Sequence, residues 1–311
     1  MVGTNLEHAS VLLPEAIDAL VTDPDGCYVD GTFGRGGHAR ALLARLSPRA
    51  NLLAIDRDPD AIAAASALRD DPRFTIESGE FASMGAMIAE RGWAGRVSGV
   101  LLDLGVSSPQ LDHAERGFSF VHDGPLDMRM NPERGVSAAQ WLAVASREDI
   151  AQVLREFGEE RYAWRMAGAV VDAREEQPIE RTAQLSRIIR EANPSWEKGK
   201  HPATRAFQGI RIFINNELDE LRAALSAALE CLAVGGRLVV ISFHSLEDRI
   251  VKRFFRDQAR GPMVPRSVPV TDAQVGRRVR IIGKAVKPTE QELAVNPRAR
   301  SAVLRVAEKL V

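Results

Sequence analysis

Short apolar runs alternate with amphipathic stretches over the first third of this 311-residue chain, and no other feature constrains its fold as strongly. Cys27-Tyr28-Val29-Asp30 reads as a buried strand, followed by a glycine-rich turn and a helix from about His38 to Leu46. Asn51 to Asp56 is a second strand. Pro59 then opens an alanine-rich helix, a residue suited to a first helical turn because an N–H there has no partner anyway. Arg73 to Glu77 is a third strand with a helix after Phe81, and Val97 to Leu104 is a fourth. Strands joined through helices run parallel, with helices over both faces. The expected class is α/β with a Rossmann-like sheet.

The alternation stops near Pro109. From there to Thr204 only helical periodicity is found, over Ala138 to Ala145, Arg147 to Phe157, Tyr162 to Glu175 and Thr182 to Ala192. It resumes with an expected helix from Ile212 to Leu232, a Gly235-Gly236 stop and a strand from Arg237 to Ser242. The expected organisation is a discontinuous core, residues 1–108 with 205–311, around an all-helical insertion at 109–204. Arg277 to Ile282 and Ala302 to Ala307 are expected to form an antiparallel edge pair, and the proline-rich stretch 258–275 a loop.

The strongest local signal is Asp30-Gly31-Thr32-Phe33-Gly34-Arg35-Gly36-Gly37-His38, set between a strand and a helix as a nucleotide-binding loop requires. Glycines allow close backbone approach, and free amides at a helix start hold an anionic group. Asp56 ends the next strand, where a carboxylate can accept both hydrogen bonds of a ribose diol. A dinucleotide would suit these features too, so a nicotinamide oxidoreductase is a competing reading. Two details favour S-adenosylmethionine: the glycine spacing is not G-x-G-x-x-G, and Asp30 stands where it could meet the ammonium of a methionine moiety. Asp103 ends the fourth strand, and Phe81, just past the third, is placed to lie against adenine.

Charge is nearly balanced, with 41 Lys and Arg against 42 Asp and Glu, which counts against a general nucleic-acid binder. It is uneven, however. Arg249, Lys252, Arg253, Arg256, Arg260 and Arg266 crowd one stretch, followed by Arg277, Arg278, Arg280, Lys284 and Lys287, then by Arg298, Arg300 and Arg305. No apolar run of about 18 residues suggests a membrane span, and the first eight residues lack a signal-peptide layout. The two cysteines, Cys27 and Cys231, have neither metal-ligand spacing nor disulfide density, so no metal and a reducing cytoplasm are expected.

Several motifs together resemble the RsmH (MraW) family. They are His8-Ala9-Ser10-Val11-Leu12-Leu13, the glycine turn from Asp30 to His38, Asp103-Leu104-Gly105-Val106-Ser107-Ser108-Pro109-Gln110-Leu111-Asp112, Gly117-Phe118-Ser119-Phe120, Pro125-Leu126-Asp127-Met128-Arg129-Met130, His201-Pro202-Ala203-Thr204-Arg205 and Ile241-Ser242-Phe243-His244-Ser245-Leu246-Glu247-Asp248-Arg249. The resemblance spans nearly the whole chain. It implies a class I S-adenosylmethionine-dependent methyltransferase that modifies the exocyclic amine, nitrogen 4, of a cytidine in the decoding region of bacterial 16S rRNA. It implies cofactor contacts at Gly36, Gly37, His38, Asp56, Phe81, Asp103 and Gln110, to which the residue-level reading adds Asp30 and Gly34. Ala206 and Gly209 depart from the residues usual in the family, outside the cofactor motifs.

Methyl transfer to a cytosine amine needs an acceptor for the amine protons. Asp103 and the Ser107-Ser108-Pro109 turn, with Ser108 foremost, are the candidates. No aromatic follows Pro109 directly, so Phe118, Phe120 or His244 is expected to stack on the base. Methylation at carbon 5 needs a cysteine nucleophile, and neither Cys27 nor Cys231 follows a proline in an active-site loop. The expected partner is 16S rRNA, held by the insertion and the basic stretch from Arg249 to Arg266, with the small ribosomal subunit as its setting. A homodimer stays open. A third reading, a ribosome-assembly factor without activity, could dispense with the strand-end aspartates, which are intact here.

Overall fold

The computed structural model describes residues 10–195, 199, 201–261 and 276–311. The chain divides into two compact units, residues 1–105 with 219–311, and residues 106–218. The sequence reading sets its divisions at 108/109 and 204/205.

The first unit is built on a sheet of seven strands among the described residues: β1 (Cys27–Asp30), β2 (Asn51–Asp56), β3 (Phe74–Ser78), β4 (Val97–Asp103), β5 (Leu232–Ser242), β6 (Val279–Val286) and β7 (Val303–Lys309). Their order is β3-β2-β1-β4-β5-β7-β6. The first five run parallel, while β7 is antiparallel to both β5 and β6. The helices of this unit are α1 (Leu13–Leu20), α2 (Gly37–Arg45), α3 (Pro59–Ala64) and α4 (Met84–Glu90). The second unit carries α5 (Ser108–Asp112), α6 (Ala138–Val144), α7 (Arg147–Glu156), α8 (Ala163–Glu176), α9 (Thr182–Ala192) and α10 (Thr204–Ile214). Then come α11 (Glu217–Cys231), α12 (Ser245–Arg260) and α13 (Glu290–Val295).

Successive strand residues face opposite sides, and both sides are buried, so the strands read as unbroken apolar runs. Tyr28, Leu52, Leu101 and Val239 pack on one face with Ile17, Leu20 and Leu42 of α1 and α2. Val29, Leu53, Leu102 and Val240 pack on the other with Met84, Ile88, Leu225, Val251 and Phe255 of α4, α11 and α12.

The expected strand after Gly235-Gly236 is longer than the sequence suggests. β5 begins at Leu232, and the step from Val97 to Gly99 is matched by the step from Leu232 to Arg237, so the glycine pair lies within an irregular stretch of the strand. Gly235 takes a φ of 81° there. The start of the expected loop at 258 belongs to α12, and residues 262–275, with Arg266, lie outside the described residues.

The expected helix from Ile212 to Leu232 is two helices. The chain breaks at Asn215 and Asn216, the latter at φ 50°. The buried Asn215 amide supplies the reason. Its Oδ1 accepts from the Met130 N–H at 2.8 Å, and its Nδ2 donates to the Met128 carbonyl at 2.7 Å. Met128 itself holds a φ of 63°. The second unit packs around Leu142, Ile150, Leu154, Met166, Leu185, Ile189 and Phe207, and its one isolated strand bridge joins Pro125 to Arg181 among the described residues. Gly209, one of the two departures from the family pattern, lets α10 approach the end of α7: a Cβ there would stand 2.7 Å from the Gly158 nitrogen.

Removing the Asn215 amide strands two buried backbone groups, each costing about 1–3 kcal/mol. Asn215→Ala is therefore expected to lower the unfolding free energy of the full chain by about 2–4 kcal/mol in urea titration. A loss below about 0.5 kcal/mol, the range of a neutral surface change, would contradict this role for the amide.

Candidate active site

The glycine turn links β1 to both of its neighbours. The Gly31 N–H donates to the Leu101 carbonyl at 2.9 Å, and the Phe33 N–H to the Ile55 carbonyl at 3.1 Å. Gly34 and Gly36 then take φ angles of 56° and 72°, which side-chain-bearing residues rarely adopt. A Cβ on Gly36 would also lie 2.6 Å from the Phe33 ring. Gly36 caps α2, and Gly37 and His38 form its first turn, so the free amides of a helix start face the end of β1.

Three carboxylates end three adjacent strands. In register, Asp30 stands beside Ala54 and Leu101, so Asp56 and Asp103 lie two residues further along on either side. β1 and β4 are the strands at which the chain order reverses, the place where open α/β sheets receive ligands. Asp30 is 1% exposed. One of its oxygens accepts the Thr32 N–H at 3.1 Å, and the other, Oδ2, has no protein partner. Asp56 accepts the Gly34 N–H at 2.8 Å on one oxygen and the Asp58 N–H at 2.9 Å on the other, leaving each a further lone pair. Asp103 is reached by solvent on one side, at 23% side-chain exposure, yet its Oδ1 is buried without a partner.

Burial raises all three acids. It pushes Asp30 up to about 7, against the pull of the Thr32 N–H and with the Asp56 charge adding to the rise. Burial holds Asp103 well above the usual carboxylate range, with Asp30 and Glu247 adding to it. Asp56 is raised by burial too, opposed by the N–H groups of Asp58 and Gly34. His38 moves the other way, since burial lowers it to about 4. Its Nε2 faces the Val11 carbonyl at 3.2 Å and so carries the proton of the neutral ring, which leaves Nδ1 as an acceptor 3.5 Å from Asp103 Oδ2.

Of the other expected site residues, Phe81 is partly exposed in a single 3-10 turn after β3, packed against Met84's side of the core. Ser108 and Gln110 belong to the second unit. Ser108 opens α5, and the buried Gln110 turns its Oε1 back to accept the Ser107 N–H at 2.8 Å. His244 caps α12: its Nδ1 accepts the Glu247 N–H at 3.4 Å, and its Nε2 lies 3.1 Å from the Glu247 carboxylate. Nδ1 thus shapes the turn after β5, while Nε2 is buried and makes no hydrogen bond among the described residues. Phe118, expected as a base platform, is a core residue of the second unit at 5% exposure. Phe120 is covered there by His201, stacked at 4.7 Å, and by the edge of Phe207.

Three further residues escape the sequence reading. The Thr32 hydroxyl accepts the Asp103 N–H at 2.6 Å and so ties the glycine turn to the end of β4. Ser242 ends β5 with a buried, unpartnered hydroxyl. Glu247, buried in the first turn of α12, accepts the Phe243 N–H at 2.8 Å. Only pairing between strands distant in sequence brings these groups to the site.

A model of the MraW methylase family matches residues 5–310. The chain belongs to that family. The ribosomal RNA small subunit methyltransferase H of Chromohalobacter salexigens is 62% identical over 309 residues, covering 99% of this chain and 93% of the relative. Among solved structures, an rRNA methylase from Streptococcus thermophilus shares 12% identity at a TM-score of 0.42, covering 95% of this chain and 92% of the other. Fibrillarin from Aeropyrum pernix, with natively bound S-adenosyl-L-methionine, shares 12% identity at a TM-score of 0.36, covering 95% of this chain and 73% of the other.

As an MraW methylase, the chain has the class I methyltransferase fold, and its cofactor is S-adenosyl-L-methionine. The residues present fit that molecule. It carries an ammonium, a sulfonium and a ribose diol, all seeking anionic or acceptor atoms, and the Oδ2 of Asp30 and the Oδ1 of Asp103 are buried acceptors without partners.

The Asp30 shift has a consequence for stability. Its folded pKa of about 7 lies above the unfolded value of 3.8, so the unfolded chain loses its proton first and stability falls as pH rises between them. Asp30→Asn keeps the acceptor for Thr32 but removes this loss. In thermal scans of the cofactor-free protein, the variant is expected to gain on the wild type progressively from pH 4 to pH 7, while binding S-adenosyl-L-methionine more weakly. A gap that stays constant with pH would contradict the assignment.

Proposed function

We propose that this MraW methylase transfers a methyl group from S-adenosyl-L-methionine to the exocyclic amine, nitrogen 4, of a cytidine in the decoding region of 16S rRNA. The observation that carries the reading is the row of strand-end carboxylates with buried, unpartnered oxygens, set beside a glycine turn in the left-handed conformation. The 62% identity to a small-subunit rRNA methyltransferase supports RNA as the substrate class.

In this proposal Asp30 receives the ammonium, Asp56 the ribose diol and Phe81 the adenine face, while Gly34, Gly36 and Gly37 admit the ligand against the backbone. His38 and Gln110 are the remaining cofactor positions that the family resemblance implies. When bound, S-adenosyl-L-methionine supplies a methyl already activated by its positively charged sulfur. The protein's part is alignment, which can supply about 7–11 kcal/mol of the barrier. A cytosine amine is a weak nucleophile because its lone pair is delocalised into the ring. Asp103, as the carboxylate, is proposed to accept the amine's hydrogen bonds and push the pair back to nitrogen as the nitrogen–carbon bond forms and the carbon–sulfur bond breaks. It then takes up the proton that the methylated amine must lose; Ser108 is the other candidate acceptor. A cation beside Asp103 lowers its raised pKa, so seating the cofactor itself favours the carboxylate form. His244 orients the turn that follows β5 through Nδ1, and its buried Nε2, without a hydrogen-bond partner among the described residues, keeps it a candidate for contact with the base.

Carbon 5 is disfavoured as the target. Cys27 begins β1, at the opposite end of the strand from Asp30, and Cys231 ends α11, buried; burial pushes both thiols up, away from the thiolate a nucleophile requires. The second unit is proposed as the RNA-recognition domain, with the target base unstacked before it reaches the carboxylates. The cytoplasm suits such a substrate, and no helix among the described residues is long and apolar enough to cross a membrane.

Nucleoside analysis of small-subunit rRNA by mass spectrometry, with and without the gene, tests the reading. One methyl is expected to vanish from a cytidine amine and to return on complementation with Cys27→Ser/Cys231→Ser. An unchanged nucleoside profile, or loss of a carbon-5 methyl, would overturn it.

A further inference from the structure

The structure sorts the basic residues that the sequence leaves undifferentiated. Arg278, Arg280 and Arg305 are engaged with acids of the same unit: Arg278 with Glu230, Arg280 with Glu308, and Arg305 with Asp248 at 2.7 Å. A second group of basic residues lies on α12. Arg249, Lys252, Arg253, Arg256 and Arg260 are all exposed on it. Their spacing of three, four, seven and eleven residues from the first places them within an arc of about 100° around the helix axis. Val251 and Phe255, on the other side, are buried in the core. The stripe is about 16 Å long at 1.5 Å per residue. The acids on α12 itself are three. Asp248 is held by Arg305, Glu247 is buried, and Asp257 pairs with Arg256 in an exposed bridge worth little in water.

The helix also starts in a telling place. β5 runs parallel to β4, and Asp103 pairs in register with Ile241, one residue before the end of β5 at Ser242. α12 begins three residues later, so its first turn lies at the sheet edge that carries the three aspartates. From there it runs back along β5, β6 and β7. Such segregation of cations, in a chain of net charge −1, marks a surface for a polyanion. An anionic membrane fits poorly, because a membrane-surface helix must offer its apolar face and that of α12 is committed to the core.

We propose that the exposed face of α12 is a track for the RNA phosphate backbone, leading from the carboxylate edge and holding the strand that flanks the target nucleotide. This rests on the reading of the substrate as rRNA. It assigns backbone binding to a helix of the first unit, apart from any recognition by the second. Phosphate contacts position a nucleic acid without reading its sequence, so the track should be indifferent to base identity.

The test is the double variant Arg253→Glu/Arg256→Glu, compared with Arg253→Lys/Arg256→Lys, on small ribosomal subunits and on a transcript of their rRNA. Charge reversal is expected to raise the KM for both RNAs at least 10-fold near 0.15 M salt. It should flatten the plot of log affinity against log salt by about 0.7–0.9 for each phosphate that the helix no longer neutralises. The lysine pair should stay near wild type, because a point charge suffices for phosphate. Affinity for S-adenosylhomocysteine and the thermal midpoint should not move. Transcript affinity and salt slope unchanged in the charge-reversed protein would overturn the track. So would a defect confined to assembled subunits, which would indicate an acidic protein partner. If the wild type methylated neither RNA, the functional reading itself would fall, an outcome distinct from either.

Discussion

Everything in the first unit is arranged around an unfavourable placement: carboxylates at the ends of adjacent strands, taken from water and given too few partners. Asp30 has one backbone N–H for two oxygens, and Asp103 keeps a buried oxygen with none. Buried ionised groups without partners are costly, and proteins normally pair or neutralise them. Here the neighbourhood makes matters worse, since Asp56 adds to the rise of Asp30, and Asp30 and Glu247 to that of Asp103. His38, neutral and presenting a bare Nδ1 to Asp103, offers no relief. A cation seated beside these oxygens would withdraw the cost, so such a site would prefer a cationic ligand without any residue closing upon it.

The scaffold that tolerates this cost is ordinary in its physics. Apolar side chains alternate to both faces of β1, β2, β4 and β5 and supply cores that do not depend on the strand ends. The glycine turn is fixed from both sides by β2 and β4 through Phe33 and Gly31, and Asp56 clasps the Gly34 amide. One strand-end aspartate therefore also shapes the loop.

Much of this was legible in the sequence. β1 and β2 begin and end where the apolar runs do, because a strand buried on both faces leaves no ambiguity of period, and the strand-end aspartates mark the edge. Gly34 and Gly36 were readable as a turn because their backbone conformation excludes other residues. What stayed hidden depends on partners distant in the chain. The break at Asn215 serves the carbonyl of Met128 and the N–H of Met130, which no local pattern announces. Phe118 looked like a stacking platform because exposed and core aromatics have the same local sequence; only the packing of the second unit shows it is buried. The basic residues could not be sorted until Glu230, Glu308 and Asp248 were seen beside three of them.

The central claim is that Asp30, its pKa raised by burial to about 7, holds a proton until a cation displaces it. Calorimetric titration of S-adenosyl-L-methionine at pH 6.5, in two buffers of different ionisation heat, counts the protons exchanged on binding. The account predicts a net release into solution, because Asp30, with a pKa of about 7, is mostly protonated before the ligand arrives and ionised afterwards. Binding with no proton exchange, or with net uptake, would contradict it.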